Sequence, residues 1–177
     1  MVVLCIAWII CAQSRGAAAI PPRRAYEDAA MRRDGSVSRG QAIFENELKT
    51  ACIKCHSADG SSKLAGPDLF AIGDKFPRRE LIQSILDPSA AIAVGYATTT
   101  IETRAGEVHD GVVKQVNDSW VELMTAHGRR QRVATADIAT QRTSTISLMP
   151  EGLHAGLSVE EFSDLIEYLT SLKQPER

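Results

Sequence analysis

Aromatic residues are scarce in this chain: Phe, Trp and Tyr make up 5% of its 177 residues. A surface on which nucleic-acid bases could stack would therefore be thin. No Lys/Arg block stands out and the formal net charge is −2, so the basic footprint of a DNA- or RNA-binding protein is missing as well. Cysteine is equally sparse. Of the four, Cys5 and Cys11 sit in the apolar N-terminal run, and only Cys52 and Cys55 belong to the body of the chain. Two cysteines one turn apart cannot staple a domain, which argues against a disulfide framework. A Ser/His/Asp arrangement and a glycine-rich phosphate loop are both lacking, and the paired acids Glu160-Glu161 read as helix-start charges. Internal repeats are absent too.

The one strongly apolar run, Val2 to Ala12, is too short to span a bilayer comfortably. It is followed by Gly16-Ala17-Ala18-Ala19, so residues 1–19 read as a secretory signal cut after Ala19, or as an uncleaved anchor. No Lys or Arg precedes the run, which departs from the usual signal pattern and leaves open a start inside a longer polypeptide. The expected location is outside the cytoplasm, periplasmic or anchored facing the periplasm, with membrane contact only through that segment.

The remainder has room for one domain and one core. Residues 20–35, with Pro21-Pro22 and Arg23-Arg24, read as a flexible lead-in to a domain over 36–174. A first helix is expected from Ser38, with Ala42, Ile43, Phe44 and Leu48 as its apolar stripe, running into Cys52. A Gly/Ser/Asp-rich loop covers Ser57 to Asp68. A second helix spans Pro77 or Arg78 to Leu86 and stops at Asp87-Pro88, with a short turn to follow at Ser89 to Ile92. From Tyr96 the period changes. Tyr96–Thr103, Glu107–Val116, Trp120–Thr125 and Arg130–Thr135 are rich in β-branched and aromatic residues and are separated by turn signals. They predict an antiparallel meander of about four strands, an insert over roughly 95–142. The last helix, Ser158 to Leu172, carries Phe162, Leu165, Ile166 and Leu169 at helical spacing.

Cys52-Ile53-Lys54-Cys55-His56 is the decisive motif, since C-x-x-C-H is the pattern of c-type haem attachment. Two thiols one turn apart can each add across a vinyl group on one edge of the macrocycle. The adjoining imidazole is then delivered to one face of the iron. A thioredoxin-like pair would want a βαβ context and a site that opens a helix. Half a zinc site would want a second C-x-x-C or H-x-x-x-H pair. Neither is found. A sixth ligand is still needed, and Met149 is the candidate: a soft thioether before the final helix, held extended by Pro150. A loop methionine taken alone is more often core filler. Its rivals are Met124 on a predicted strand, His109 and His127 at or near turns and read as solvated, and His154, the one serious competitor.

These residues resemble the class I c-type cytochrome family: Phe44, the C-x-x-C-H, Gly66-Pro67-Asp68-Leu69, Met149-Pro150 and a closing helix with Leu165 and Tyr168. The narrower set Ile72-Gly73, Ile85-Leu86-Asp87-Pro88-Ser89-Ala90, Gly95-Tyr96 and Ser147 to Leu153 is similar to a haem-binding domain found at the C-terminus of large secreted dehydrogenase-like or propeller proteins. The resemblance covers roughly residues 36 to 172. It implies a mainly α cytochrome c fold with the β-meander inserted before the axial Met loop. It implies that Gly40 and Phe44 meet the Leu165/Tyr168 face where the first and last helices cross. It further implies that the Pro67 carbonyl accepts a hydrogen bond from His56, and that one haem c is held by Cys52 and Cys55 with His56 and Met149 as iron ligands. Trp120 and Tyr96 either pack near the haem or fill the meander, and for Trp120 the core of the meander is the expected place.

Three functions are compatible with this reading. The first is single-electron transfer without substrate chemistry, with a redox partner protein such as a periplasmic dehydrogenase or a respiratory-chain component. The second is a haem enzyme or small-ligand sensor with an open or labile distal position. The third, compatible with the first, makes the insert a docking module.

Overall fold

A computed structural model describes residues 20–61 and 63–175. The expected leader, with Cys5 and Cys11, lies outside the described residues. Five helices, α1 (Arg23–Met31), α2 (Val37–Glu45), α3 (Ile72–Lys75), α4 (Arg78–Leu86) and α5 (Val159–Ser171), surround one apolar core. Five strands, β1 (Thr98–Thr103), β2 (Val108–Val116), β3 (Trp120–Met124), β4 (Arg130–Ala134) and β5 (Ile138–Thr143), form one antiparallel sheet in the order β4-β3-β2-β1-β5.

The mainly α expectation is corrected: 35% of the structure is helix and 20% strand, an α+β arrangement. The sheet builds a core of its own. Ile101, Val121, Leu123 and Val133 are buried together, with Val113 and Ile138 against them, in a cluster separate from the helical one. It is not a four-strand meander. β5 crosses to the far edge and pairs with β1, Thr99 opposite Thr143 and Ile101 opposite Gln141. Ile138–Thr143 carries no alternation of apolar residues, and all but Ile138 is exposed. An edge strand held by backbone bonds leaves little hydrophobic signal.

The flexible lead-in is corrected as well. Residues 23–31 are helical, capped by Pro22, and Tyr26, Ala29 and Ala30 are buried at i, i+3 and i+4. Tyr26 donates to the Leu157 carbonyl at 3.0 Å, and its ring meets Phe162 edge-on at 5.5 Å. A polar, doubly basic stretch hid the stripe because two of its three core residues are alanines. Helix α2 is capped two residues before the expected Ser38, by Ser36 accepting from Arg39 N, and it ends at Glu45 instead of reaching Cys52. Asn46 breaks it: its side chain accepts from Leu48 N and Lys49 N, and its carbonyl from Thr50 N and Ala51 N. Leu48, expected on the apolar stripe, is fully exposed as a result.

Helix α5 is the axis of the helical part. Its capping box pairs Ser158 with Glu161, and Phe162 and Ile166 are completely buried. Each such side chain contributes roughly 1.5–3 kcal/mol. Three glycines bring other backbone against it. A Cβ on Gly40 would stand 2.0 Å from Asp164 O and 2.7 Å from Tyr168 Cβ; on Gly35, 2.6 Å from Ser163 O; on Gly73, 2.3 Å from Thr170 O. Beside the Gly40 crossing, the Phe44 and Tyr168 rings lie 5.5 Å apart. Asp164 fastens the same crossing, accepting from Ser36 N at 2.6 Å and from Arg39 through two bonds of 2.6 and 2.8 Å.

Candidate haem-attachment site

The motif forms a single 3-10 turn over Cys52–Lys54, entered through Ala51 in the left-handed region (φ 53°). The Cys52 carbonyl accepts from both Cys55 N (3.1 Å) and His56 N (2.9 Å), which stacks the two cysteines and the histidine on consecutive corners of one turn. Both thiols are free. Burial pushes each of them up from its ordinary pKa. A disulfide-exchange pair needs the opposite, a depressed thiol at a helix N-terminus.

The following loop folds back on the motif as a clamp. Gly66 N donates to Cys55 O and Leu69 N to Ser57 O, each at 2.7 Å. Ser57 Oγ and Phe70 N both bond the Asp68 carboxylate. This folding places the Pro67 carbonyl 2.8 Å from His56 Nδ1. With Nδ1 donating there, Nε2 carries a free lone pair, the tautomer a metal ligand requires. Burial also lowers the His56 pKa, favouring neutral imidazole. Gly66 is the wall behind the ring: a Cβ there would meet His56 Cε1 at 2.5 Å.

A cavity of about 590 Å³ opens beside the motif, lined among others by Phe44, Ile53, His56, Leu64 and Tyr168. That volume lies within the range of roughly 300–1,000 Å³ typical of ligand and cofactor sites. A smaller cavity of about 260 Å³, between α1 and α4, has no cysteine or histidine in its lining. The donor set fits a covalently held porphyrin, with two free thiols and an oriented imidazole. The open cleft beside His56 is mixed, with Glu45, Ser57, Asp59, Ser61 and Lys63 among the apolar side chains, and neither the two cysteines nor Met149 line it. His56 and Met149 would hold the iron, and Cys52 and Cys55 the macrocycle edge. Among the described residues no group of three or more His, Cys, Asp or Glu could hold a metal ion by itself. A haem asks less of the protein, since the porphyrin supplies four of the iron's ligands.

Met149 is half-buried and packs on the helical core, as do Cys52 and Ile53. Its loop is anchored to the turn after α4 by Ser147 N to Ser89 Oγ at 3.2 Å, and Ser147 Oγ accepts from Met149 N. His154 packs edge-on against Tyr26 at 5.0 Å, with its Nδ1 buried and unpartnered. His109 is not a solvated turn residue: it lies in β2, 15% exposed, paired with Gln131 at 2.7 Å. Met124 is buried in β3, while His127 is exposed at the β3–β4 turn.

Trp120 lies outside the sheet core where it was expected. It is half-buried on the opposite face, under the Arg132 guanidinium at 4.2 Å. Tyr96 lies under Lys114 at 4.7 Å. One contact had no signal in the sequence. The β3–β4 turn reaches the motif, with Ala126 O 3.9 Å from Cys55 Sγ, and a Cβ on Gly128 would stand 3.8 Å from Lys54 O.

No protein-family model matches this chain, and no curated protein does. Among the described residues no helix is long and apolar enough to cross a membrane.

Proposed function

We propose that the chain is a mono-haem c-type cytochrome: an electron carrier, or the electron-transfer domain of a larger redox system, exported to the periplasm. The observation that carries this reading is the 2.8 Å contact between His56 Nδ1 and Pro67 O, with free thiols one and four residues before the histidine. With its proton held on Nδ1, the ring keeps a lone pair on Nε2, as a metal-ligating imidazole needs. A core histidine with a purely structural role has no use for paired cysteines beside it.

When bound, the haem supplies a one-electron ferric/ferrous couple. The chain's residues do the rest. Cys52 and Cys55 tether the macrocycle edge, and His56 is oriented by Pro67 and backed by Gly66. Met149, restrained by Pro150, offers the soft second ligand that favours ferrous iron. Phe44, Ile53 and Leu64 exclude water from one side of the cleft. The partner is a redox protein, a dehydrogenase or respiratory-chain component on the same side of the membrane.

The test is expression alongside a haem-attachment system, followed by extraction with acidified organic solvent. Colour should stay with the protein, with the chain's mass raised by one haem. Cys52→Ala together with Cys55→Ala should release it. Colour lost from the unmutated protein would remove the thioether bonds, and the proposal with them.

A further inference from the structure

We infer that the β3–β4 hairpin is a docking surface for an acidic partner protein, placed to present that partner to the Cys55 edge of the site. The inference rests on the haem reading above and adds the kind of partner and its place.

Residues 125–134 hold three arginines and one histidine with no acid, in a chain whose net charge is −2. Arg129 is exposed at the turn, and its side chain enters no ion pair among the described residues. Arg130 and Arg132 are 56% and 61% exposed on their side chains. Both bond Glu122 from above, at 2.6 and 2.8 Å, and that carboxylate is only 2% exposed. Glu122 pins two guanidinium groups in place and offsets one of their two charges, so these two arginines with Arg129 keep an excess of positive charge on the exposed side. Trp120 supports Arg132 from below. On the same sheet Lys114 stands near enough to Arg130 to feel its charge, which, after burial, lowers the lysine's pKa. Lys54, within the motif, meets the turn through its backbone carbonyl, and its ammonium pairs with Glu47 at 3.8 Å.

Scattered surface arginines would be an ordinary solvated face. Here the patch is ordered by a buried acid, and its tip touches the cysteine through which the cofactor would be tethered. Fixed cations at such an edge attract a negatively charged surface, speed encounter and set its orientation. A strand edge is also free there, since β4 ends the sheet.

The holoprotein is reduced by a plant-type ferredoxin, an acidic redox protein, in rapid mixing over a range of ionic strength. The unmutated rate should fall as salt rises. Arg129→Glu should slow it about tenfold at low salt and flatten the salt dependence, with the haem spectrum unchanged. Arg79→Glu, the same charge change on α4, should leave the rate near that of the parent protein. Equal slowing by both, or by neither, overturns the inference, as does a rate that ignores salt.

Poly-L-glutamate, titrated against the chain with and without haem and read by tryptophan fluorescence, supplies the second readout. Binding should survive loss of haem and weaken several-fold in Arg129→Glu. A chain that takes up no haem yet binds polyglutamate sinks the cytochrome reading and leaves the patch. A coloured chain that does not bind polyglutamate sinks the patch alone. Preference for single-stranded DNA over polyglutamate would overturn the choice of a protein partner.

Discussion

Gly66 is the wall against which the His56 ring is set: a single added carbon at its α-position would stand 2.5 Å from Cε1 and 2.8 Å from Nδ1. The Pro67 carbonyl takes the Nδ1 proton beside that wall, so the ring's position and tautomer are fixed by two consecutive residues of one loop. Gly66→Ala must push the ring away from Pro67 or open the Gly66 N to Cys55 O bond. Overpacking of this kind costs about 1–3 kcal/mol. The holoprotein variant should fold less stably and show a weakened or high-spin ferric spectrum, read by absorption and thermal melting. An unchanged spectrum and an unchanged melting temperature would together deny the glycine this role.

Met149→Leu keeps volume and apolarity at a half-buried position, so the fold should lose less than about 1.5 kcal/mol. The iron should nevertheless lose its thioether. The weak long-wavelength band of His/Met ligation should vanish, the reduction potential should fall, and carbon monoxide should bind readily to the ferrous form. If carbon monoxide already binds quickly to the unmutated protein, its distal position is open and the small-ligand alternative is the better one. His154→Ala serves as the control. Its imidazole packs on Tyr26, and its replacement should move stability and leave the band intact.

At the α2–α5 crossing, Gly40→Ala would place a carbon 2.0 Å from the Asp164 carbonyl, a backbone atom that cannot swing aside. A loss of about 1–3 kcal/mol is expected from forced separation of the helices. Chemical denaturation measures it. A variant as stable as the parent would mean that α2 slides at little cost.

Asp164 sets a pH dependence. Burial opposes its charge, but the bonds from Arg39 and Ser36 N outweigh that, and its pKa lies below the ordinary carboxylate value. A depressed carboxylate contributes stability above its unfolded pKa of about 3.9 and loses it as pH falls through the lower folded value. Asp164→Asn should therefore cost about 2 kcal/mol at neutral pH. The gap to the parent protein should close below about pH 4, as measured by denaturant midpoints along a pH series. A gap that stays constant into acid would mean that the charge is immaterial.

Ala51 adopts a left-handed backbone immediately before Cys52. An L-residue is strained there by about 1–2 kcal/mol, a strain glycine does not feel. Ala51→Gly should raise thermal stability with the motif turn intact. Destabilisation would show that the alanine side chain is worth more than the strain it causes.

Local chemistry was legible without a fold. The C-x-x-C-H motif, the Asp87-Pro88 stop, the Ser158–Glu161 cap and four of the five strands depend on neighbours a few residues away, and the backbone obeys such signals directly. Helix α1 was hidden because its buried face is built from Tyr26 and two alanines, which carry little hydrophobic contrast until Leu157 and Phe162 arrive from far along the chain. Leu48 misled for the opposite reason: an apolar residue joined a helical period that Asn46 had already ended.

The sequence by itself determined that two thiols and an imidazole fall within five residues, the set on which the haem proposal rests, because such a motif needs no distant partner to be recognised. Tertiary structure alone decided what surrounds them. Only folding brings Pro67 and Gly66 to the His56 ring, Asp164 to Arg39, and the Ala126 turn of the sheet to Cys55. Those contacts join residues whose separation along the chain carries no period: the family resemblance implied Pro67 at His56, and no local pattern announced Asp164 at Arg39 or Ala126 at Cys55. Strand pairing that buries Ile101, Val121, Leu123 and Val133 together turned a mainly helical expectation into an α+β protein with a second, separate core.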